Sequence, residues 1–176
     1  MPNYRRAFIP GRTYFFTVNL LQRHDNNLLI RELNLLRDTV RRVRKRHPFQ
    51  IDAWVVLPDH LHCVWTLPSN DSNFSMRWRL IKSGFSRRAL PKTERRSEIR
   101  ESAGERGIWQ RHYWEHSIRD DLDYQRHIDY VHVNPLKHEL VRRVIDWPYS
   151  TFHQYVAQGI YLPNWGRRYK YFGGQR

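Results

Sequence analysis

The stretch Ala53-Trp54-Val55-Val56-Leu57-Pro58-Asp59-His60-Leu61-His62-Cys63-Val64-Trp65-Thr66-Leu67 decides the fold. Two apolar runs flank a Pro-Asp turn signal, which predicts a hairpin between strands over 49–57 and 60–67. Side chains alternate along a strand. His60 and His62 therefore share a face with Val64 and Thr66, while Leu61, Cys63, Trp65 and Leu67 take the other. Two imidazoles side by side on a rigid strand make half of a divalent-metal site.

Working outward, residues 13–21 are rich in β-branched and aromatic side chains and read as a strand. Residues 31–47 read as a helix, with Leu33, Leu36, Val40 and Val43 at helical spacing and Arg37, Arg41 and Arg44 on another face. Pro48 ends it. A second helix is expected over 74–88 and a strand within 108–118. A third helix is capped by Asp120 or Asp121 and runs to about Asn134, where Pro135 is expected to stop it. The polar segment 89–107 lacks an apolar period and reads as a mobile loop, and 147–176 reads as an irregular aromatic tail. Strand, helix, strand, strand, helix, strand is the split βαβ order of an α+β, ferredoxin-like fold, here with an additional C-terminal helix. Its two helices would cover Leu61, Cys63 and Trp65, and the histidines would look out of the other, open face. One domain spanning 1–176 is expected.

The chain has 176 residues, with 31 Lys plus Arg against 17 Asp plus Glu, a formal charge of +14. Such a surplus favours a polyanionic partner. No apolar stretch approaches ~20 residues, so no membrane span is expected. Cys63 is the only cysteine, which excludes an internal disulfide and fits a reducing compartment. Nucleic acid in the cytoplasm is the expected partner. Arg5, Arg6, Arg37, Arg41, Arg77, Lys82 and Arg168 are candidates for its backbone. Trp109, Tyr113 and Trp114 either stack bases or belong to the core.

The third helix offers Tyr130 and Asn134, four residues apart and so on one helix face. An amide oxygen with two imidazoles leaves open positions on Mg²⁺ or Mn²⁺. With nucleic acid as partner, the held group would be a phosphate, and Tyr130 would attack phosphorus to give a covalent phosphotyrosine. A phenol titrates near ~10, so a cation must help it ionise. His127 and Lys137 are the local candidates. Taken singly, each residue has a plainer reading: His60 and His62 as polar lining, Tyr130 as packing, Asn134 as a cap before Pro135. Tyr124 is a rival nucleophile, but no ligand lies one turn beyond it.

The set His60-Leu61-His62, then Trp114-Glu115-His116, then Asp129-Tyr130-Val131-His132-Val133-Asn134-Pro135-Leu136-Lys137-His138, resembles the single-tyrosine HUH transposases. More closely it resembles their bacterial branch, the REP-associated tyrosine transposases. Tyr4-Arg5-Arg6, Tyr14 to Leu20 and Trp147-Pro148-Tyr149-Ser150-Thr151-Phe152 match as well. The resemblance implies a metal-dependent endonuclease and strand transferase. It would act on single-stranded REP hairpins carrying a short 5′ guide sequence, through a 5′-phosphotyrosine. It implies Tyr130 as the catalytic nucleophile and His60, His62 and Asn134 as ligands of Mg²⁺ or Mn²⁺. It also implies a cytoplasmic, nucleoid-associated protein acting as a monomer. The alternative function is a non-catalytic single-stranded nucleic-acid-binding module on the same fold. A metal hydrolase built on an H-x-H strand is disfavoured, because Cys63-Val64-Trp65-Thr66 supplies no further ligand after the pair.

Overall fold

The computed structural model describes residues 8–89 and 107–166. Arg5, Arg6, Arg168, nearly all of the 89–107 loop and the end of the tail lie outside them. In chain order the elements are β1 (Thr13–Asn19), α1 (Leu28–Arg31), α2 (Leu33–Arg46), β2 (Gln50–Val56), β3 (His60–Thr66), α3 (Phe74–Ala89), β4 (Trp114–Ser117), α4 (Asp121–Lys137), a 3-10 turn (Val144–Asp146) and α5 (Phe152–Ala157). The strands form one antiparallel sheet in the order β2-β3-β1-β4. That is the expected α+β, ferredoxin-like arrangement.

Alternation along the strands sorts the core into two layers. Phe16, Val18, Leu61, Cys63 and Trp65 pack under α2 and α3 with Leu36, Val40, Trp78 and Phe85. Trp65 and Trp78 stack with centroids 4.2 Å apart. Cys63 is buried here, and burial pushes its thiol well up, so it is inert as expected. On the other face, Phe15, Ala53, Val55 and Val64 pack against Ile128 and Val131 of α4. The face that carries the histidines is therefore not open. The third helix covers it, and His60 and His62 are 4% and 3% exposed.

Three further expectations are corrected. The helix expected over 31–47 begins earlier and is broken at Glu32, whose ψ of 28° leaves the helical region. The Leu29 N–H bonds to the Pro58 carbonyl at 3.2 Å, tying α1 to the hairpin turn, and α2 starts afresh behind it. Pro135 does not stop α4, which continues to Lys137. The ring costs a backbone bond, but Val131, Val133, Asn134 and Pro135 are all buried, and His138 N–H still reaches the Asn134 carbonyl at 3.0 Å. Tertiary burial overrides the local preference there. The tail from Trp147 is partly ordered: α5 docks through Phe152, and Trp147 Nε1 donates to the Val56 carbonyl at 2.9 Å.

Arg77 also changes role. It is 1% exposed, donates to the carbonyls of His47, Asn73 and Pro48, and pairs with Asp71 at 2.7 Å. It fastens the start of α3 to the end of α2 and has nothing left for DNA.

His132, fully buried on α4, bonds through Nε2 to Thr151 Oγ1 at 2.9 Å. Burial drives its pKa from the ordinary 6.5 down to about 3. The unfolded chain therefore takes up a proton that the folded chain refuses. Stability is full above about pH 6.5 and is lost as pH falls toward 3. At pH 4.5 the loss from this residue is about 2–3 kcal/mol. Urea unfolding at pH 7 and pH 4.5 should show that difference in the wild type, reduced by about that amount in His132→Gln. An unreduced difference would clear His132 of the effect.

Candidate active site

The site is built where the start of β3, the end of β1 and the C-terminal half of α4 meet. His60 Nδ1 donates to Asp59 Oδ1 at 2.7 Å, and Arg23 Nε donates to Asp59 Oδ2 at 2.6 Å. Burial pushes the Asp59 carboxyl up, but the bonds and charges of His60 and Arg23 outweigh it and hold its pKa at about 2. Register places Thr17 opposite His62, and Thr17 Oγ1 lies 2.8 Å from His62 Nδ1. The Asp59 carboxylate fixes the His60 proton on Nδ1 and leaves Nε2 bare, and with the Thr17 hydroxyl accepting from Nδ1 the His62 ring would present Nε2 in the same way, the tautomer a metal needs. Burial, followed by the charges of His60, His138 and Lys137, holds the His62 pKa well below its ordinary value. The ring is thus kept neutral and able to ligate.

Two buried atoms here lack a hydrogen-bond partner: His62 Nε2 and Asn134 Oδ1. Asn134 neighbours His62 but meets it without hydrogen-bonding geometry. Its Nδ2 donates to the Tyr130 carbonyl at 2.9 Å, one turn back, which turns Oδ1 away from the helix. Leaving two buried polar atoms unmatched costs several kcal/mol in aggregate, about 1–3 each. A cation held by these residues would remove that cost. The chemistry of two imidazole nitrogens and an amide oxygen fits Mn²⁺ well and Mg²⁺ acceptably.

His138, just past α4, was not singled out as a ligand from sequence. Its ring stands 4.9 Å from that of His60, and the ligand atoms of His60, His62 and His138 lie within 4.8 Å of one another. Asp59 and Thr17 were also missed, since only the β1–β3 register and the hairpin turn bring them to the imidazoles. Asp59→Asn should weaken Mn²⁺ binding by about 10–100-fold while the fold is retained. Titration calorimetry reads this directly, and unaltered affinity would remove Asp59 from the site.

Tyr130 is half-buried beside the pair. Its ring centroid lies 5.3 Å from that of His62, edge to face, and 5.7 Å from Phe15. Lys137 Nζ reaches the phenol oxygen at 3.3 Å and sits 4.8 Å from the ring centroid. The structure thus brings His60, His62, Tyr130, Asn134 and Lys137 together. His127 is placed differently. Its Nδ1 donates to the Asp123 carbonyl at 2.8 Å, and its ring stacks on His116 and lies against Phe15. Tyr124 is remote from the pair: burial and the Asp52 carboxylate push its pKa up, which makes it a poor nucleophile.

Of the basic candidates, Arg37 and Arg41 are exposed on α2, behind the sheet from Tyr130. Arg41 also pairs with Asp38 at 2.6 Å. Lys82 Nζ donates to the carbonyls of Gln110 and Arg111. Trp109 and Tyr113 pack on the core, whereas Trp114 is 59% exposed.

With this geometry in place, relatives at high identity decide the family. A REP-associated tyrosine transposase of Escherichia coli (strain K12) is 46% identical over 165 residues, covering 94% of this chain and 91% of the relative. The chain belongs to the REP-associated tyrosine transposases. A Haemophilus influenzae relative described under that family name is 44% identical over 167 residues, covering 94% of each chain. A solved structure of a REP-associated tyrosine transposase bound to a REP hairpin superposes with a TM-score of 0.81 at 44% identity, covering 100% of this chain and 98% of that one. No protein-family model matches the chain. The protein is thus a transposase, and among its described residues no helix is long and apolar enough to cross a membrane.

Proposed function

We propose that this transposase cleaves and rejoins single-stranded DNA at the foot of REP-type hairpins, with Tyr130 as nucleophile. The observation that carries this reading is the pair of partnerless buried atoms, His62 Nε2 and Asn134 Oδ1, beside a phenol already contacted by Lys137. His60, His62 and Asn134 would hold a divalent cation, with His138 in reach as a further ligand. Mg²⁺ or Mn²⁺ bound there would neutralise charge on the non-bridging phosphate oxygens.

The chain's own groups do the rest. Lys137 Nζ, which donates to the phenol oxygen at 3.3 Å, would hold that oxygen towards the phosphorus, and the phenolic proton ends, by way of solvent, on the departing 3′ oxygen. The Tyr130 oxygen forms a bond to phosphorus as the bond from phosphorus to the 3′ oxygen breaks. The departing oxygen takes a proton and becomes a free 3′ hydroxyl. One phosphodiester is exchanged for another, so the reverse step, attack by a 3′ hydroxyl on the phosphotyrosine, needs no external energy source. Burial of His60 and His62 beneath α4 would limit water on that side and so disfavour simple hydrolysis.

The preference for a hairpin is proposed from the complex of the relative, whose described partner is a REP hairpin. The surplus of 14 positive charges supplies sequence-independent, salt-sensitive affinity. We propose a monomer as the working unit, since His60, His62, Tyr130 and Asn134 all come from one chain.

The test is incubation of the wild-type protein with a hairpin oligonucleotide and Mn²⁺, followed by denaturing electrophoresis and peptide mass mapping. A covalent protein–DNA species mapped to Tyr130, with a free 3′ hydroxyl on the released strand, is expected. A released 5′ phosphate without any covalent species would replace this reading with ordinary hydrolysis.

A further inference from the structure

A second cluster of ligand-type side chains sits on the same sheet face, towards the β4 edge. His116, Asp123 and His127 place their donor atoms within 4.8 Å of one another. Its chemistry differs from that of the first cluster. Asp123 Oδ2 accepts from His116 Nε2 at 2.8 Å and from the Arg119 backbone N–H at 2.9 Å, while His127, whose Nδ1 donates to the Asp123 carbonyl, stands 3.2 Å from Oδ1. The two imidazoles lie nearly parallel, with centroids 4.6 Å apart. The donor set is closed on itself, so the cluster reads as a knot that ties β4 to the start of α4.

What the knot holds still is the short edge strand β4. Glu115 points into the layer under α3 and is 4% exposed, so its neighbours Trp114 and His116 face the side that carries the histidines. Register makes the placement specific. Thr17 pairs with His62 on one side and with Trp114 on the other, so His62, Thr17 and Trp114 form a straight row across β3, β1 and β4. Neighbouring strands are ~4.8 Å apart, which sets the Trp114 backbone about 10 Å from that of His62. Of the seven tryptophans, Trp114 alone is exposed, at 59%. An exposed indole on a rigid strand, next to a phosphate-handling site in a strongly basic protein, is a stacking platform for a base.

We propose that Trp114 seats the unpaired nucleotide immediately next to the cleaved phosphodiester by stacking on its base, with the Asp123 knot as the positioning device. This rests on the cleavage reading above and adds the place and manner of holding the flanking nucleotide. Stacking is indifferent to base identity, so Trp114 contributes affinity and alignment rather than sequence choice.

The experiment uses full-length protein carrying Tyr130→Phe, so that no strand is cut, and hairpins with 2-aminopurine walked through every unpaired position at the hairpin foot. The break itself is mapped separately with wild-type protein. The expected result is fluorescence quenching at a position adjoining the break. Quenching should be lost in Trp114→Ala and kept in Trp114→Phe, with hairpin affinity about tenfold weaker in the Ala variant only. Equal quenching and affinity in Trp114→Ala overturns the proposal, as does Trp114-dependent quenching confined to nucleotides away from the break. If the wild type forms no covalent species, the cleavage reading fails by itself. In that case quenching that stays insensitive to Trp114 overturns the platform, and quenching that depends on it sustains base stacking without adjacency to a cut.

Discussion

Tyr130→Phe should end covalent capture of DNA and leave hairpin binding within about twofold of the wild type. The substitution removes one oxygen and keeps the ring. Its edge contact with His62 at 5.3 Å and with Phe15 at 5.7 Å survives, so the site keeps its shape. The lost contact with Lys137 is long, 3.3 Å, and half-exposed, worth at most about 1 kcal/mol of stability. Under the proposed mechanism, catalysis would depend wholly on that oxygen. Removal of a nucleophile from a concerted set typically costs several orders of magnitude, on the order of 10⁴-fold or more here. Adduct yield on a denaturing gel measures the first quantity and fluorescence anisotropy the second. An adduct of undiminished yield in the Phe variant would move the chemistry to another residue and sink the assignment.

His62→Ala should have the other large effect, by removing the ion. In the wild type, millimolar Mn²⁺ should raise the melting temperature, because an ion held there would bind the folded chain and relieve two unmatched polar atoms. His62→Ala deletes one of them and leaves Asn134 Oδ1 facing a cavity. We expect the Mn²⁺-dependent thermal shift to vanish and adduct formation to fall by at least about 100-fold, beyond the loss expected for an outer partner such as Asp59. Tyr130→Phe should keep the thermal shift, which separates ion binding from chemistry. A His62→Ala variant that still melts higher with Mn²⁺ and still cuts DNA would show that His62 is not a ligand.

What could be read from the sequence follows the range of the physical signal. Alternation is local, so the shared face of His60 and His62 and the burial of Cys63 and Trp65 were correctly placed. Helical spacing is also local, and it put Tyr130 and Asn134 on one face. The errors come from contacts between distant segments. That Leu29 would bond to Pro58 and split a helix at Glu32 is invisible to periodicity. Arg77 carries the same charge as any surface arginine, and only the meeting of α2 and α3 reveals it as a buried clasp. The hinge-breaking reputation of Pro135 was outweighed by the burial of its neighbours. Thr17 joins the site because of strand register, a quantity fixed by the whole sheet.

The bond from Asn134 Nδ2 to the Tyr130 carbonyl makes the candidate ligand and the candidate nucleophile two ends of one helical turn. Rolling or fraying that turn would withdraw both together. An inactive posture of α4 would then be unable to keep the cation while hiding the phenol. Occupancy of the cation site would serve as a gauge of readiness, legible by thermal shift before any DNA is added.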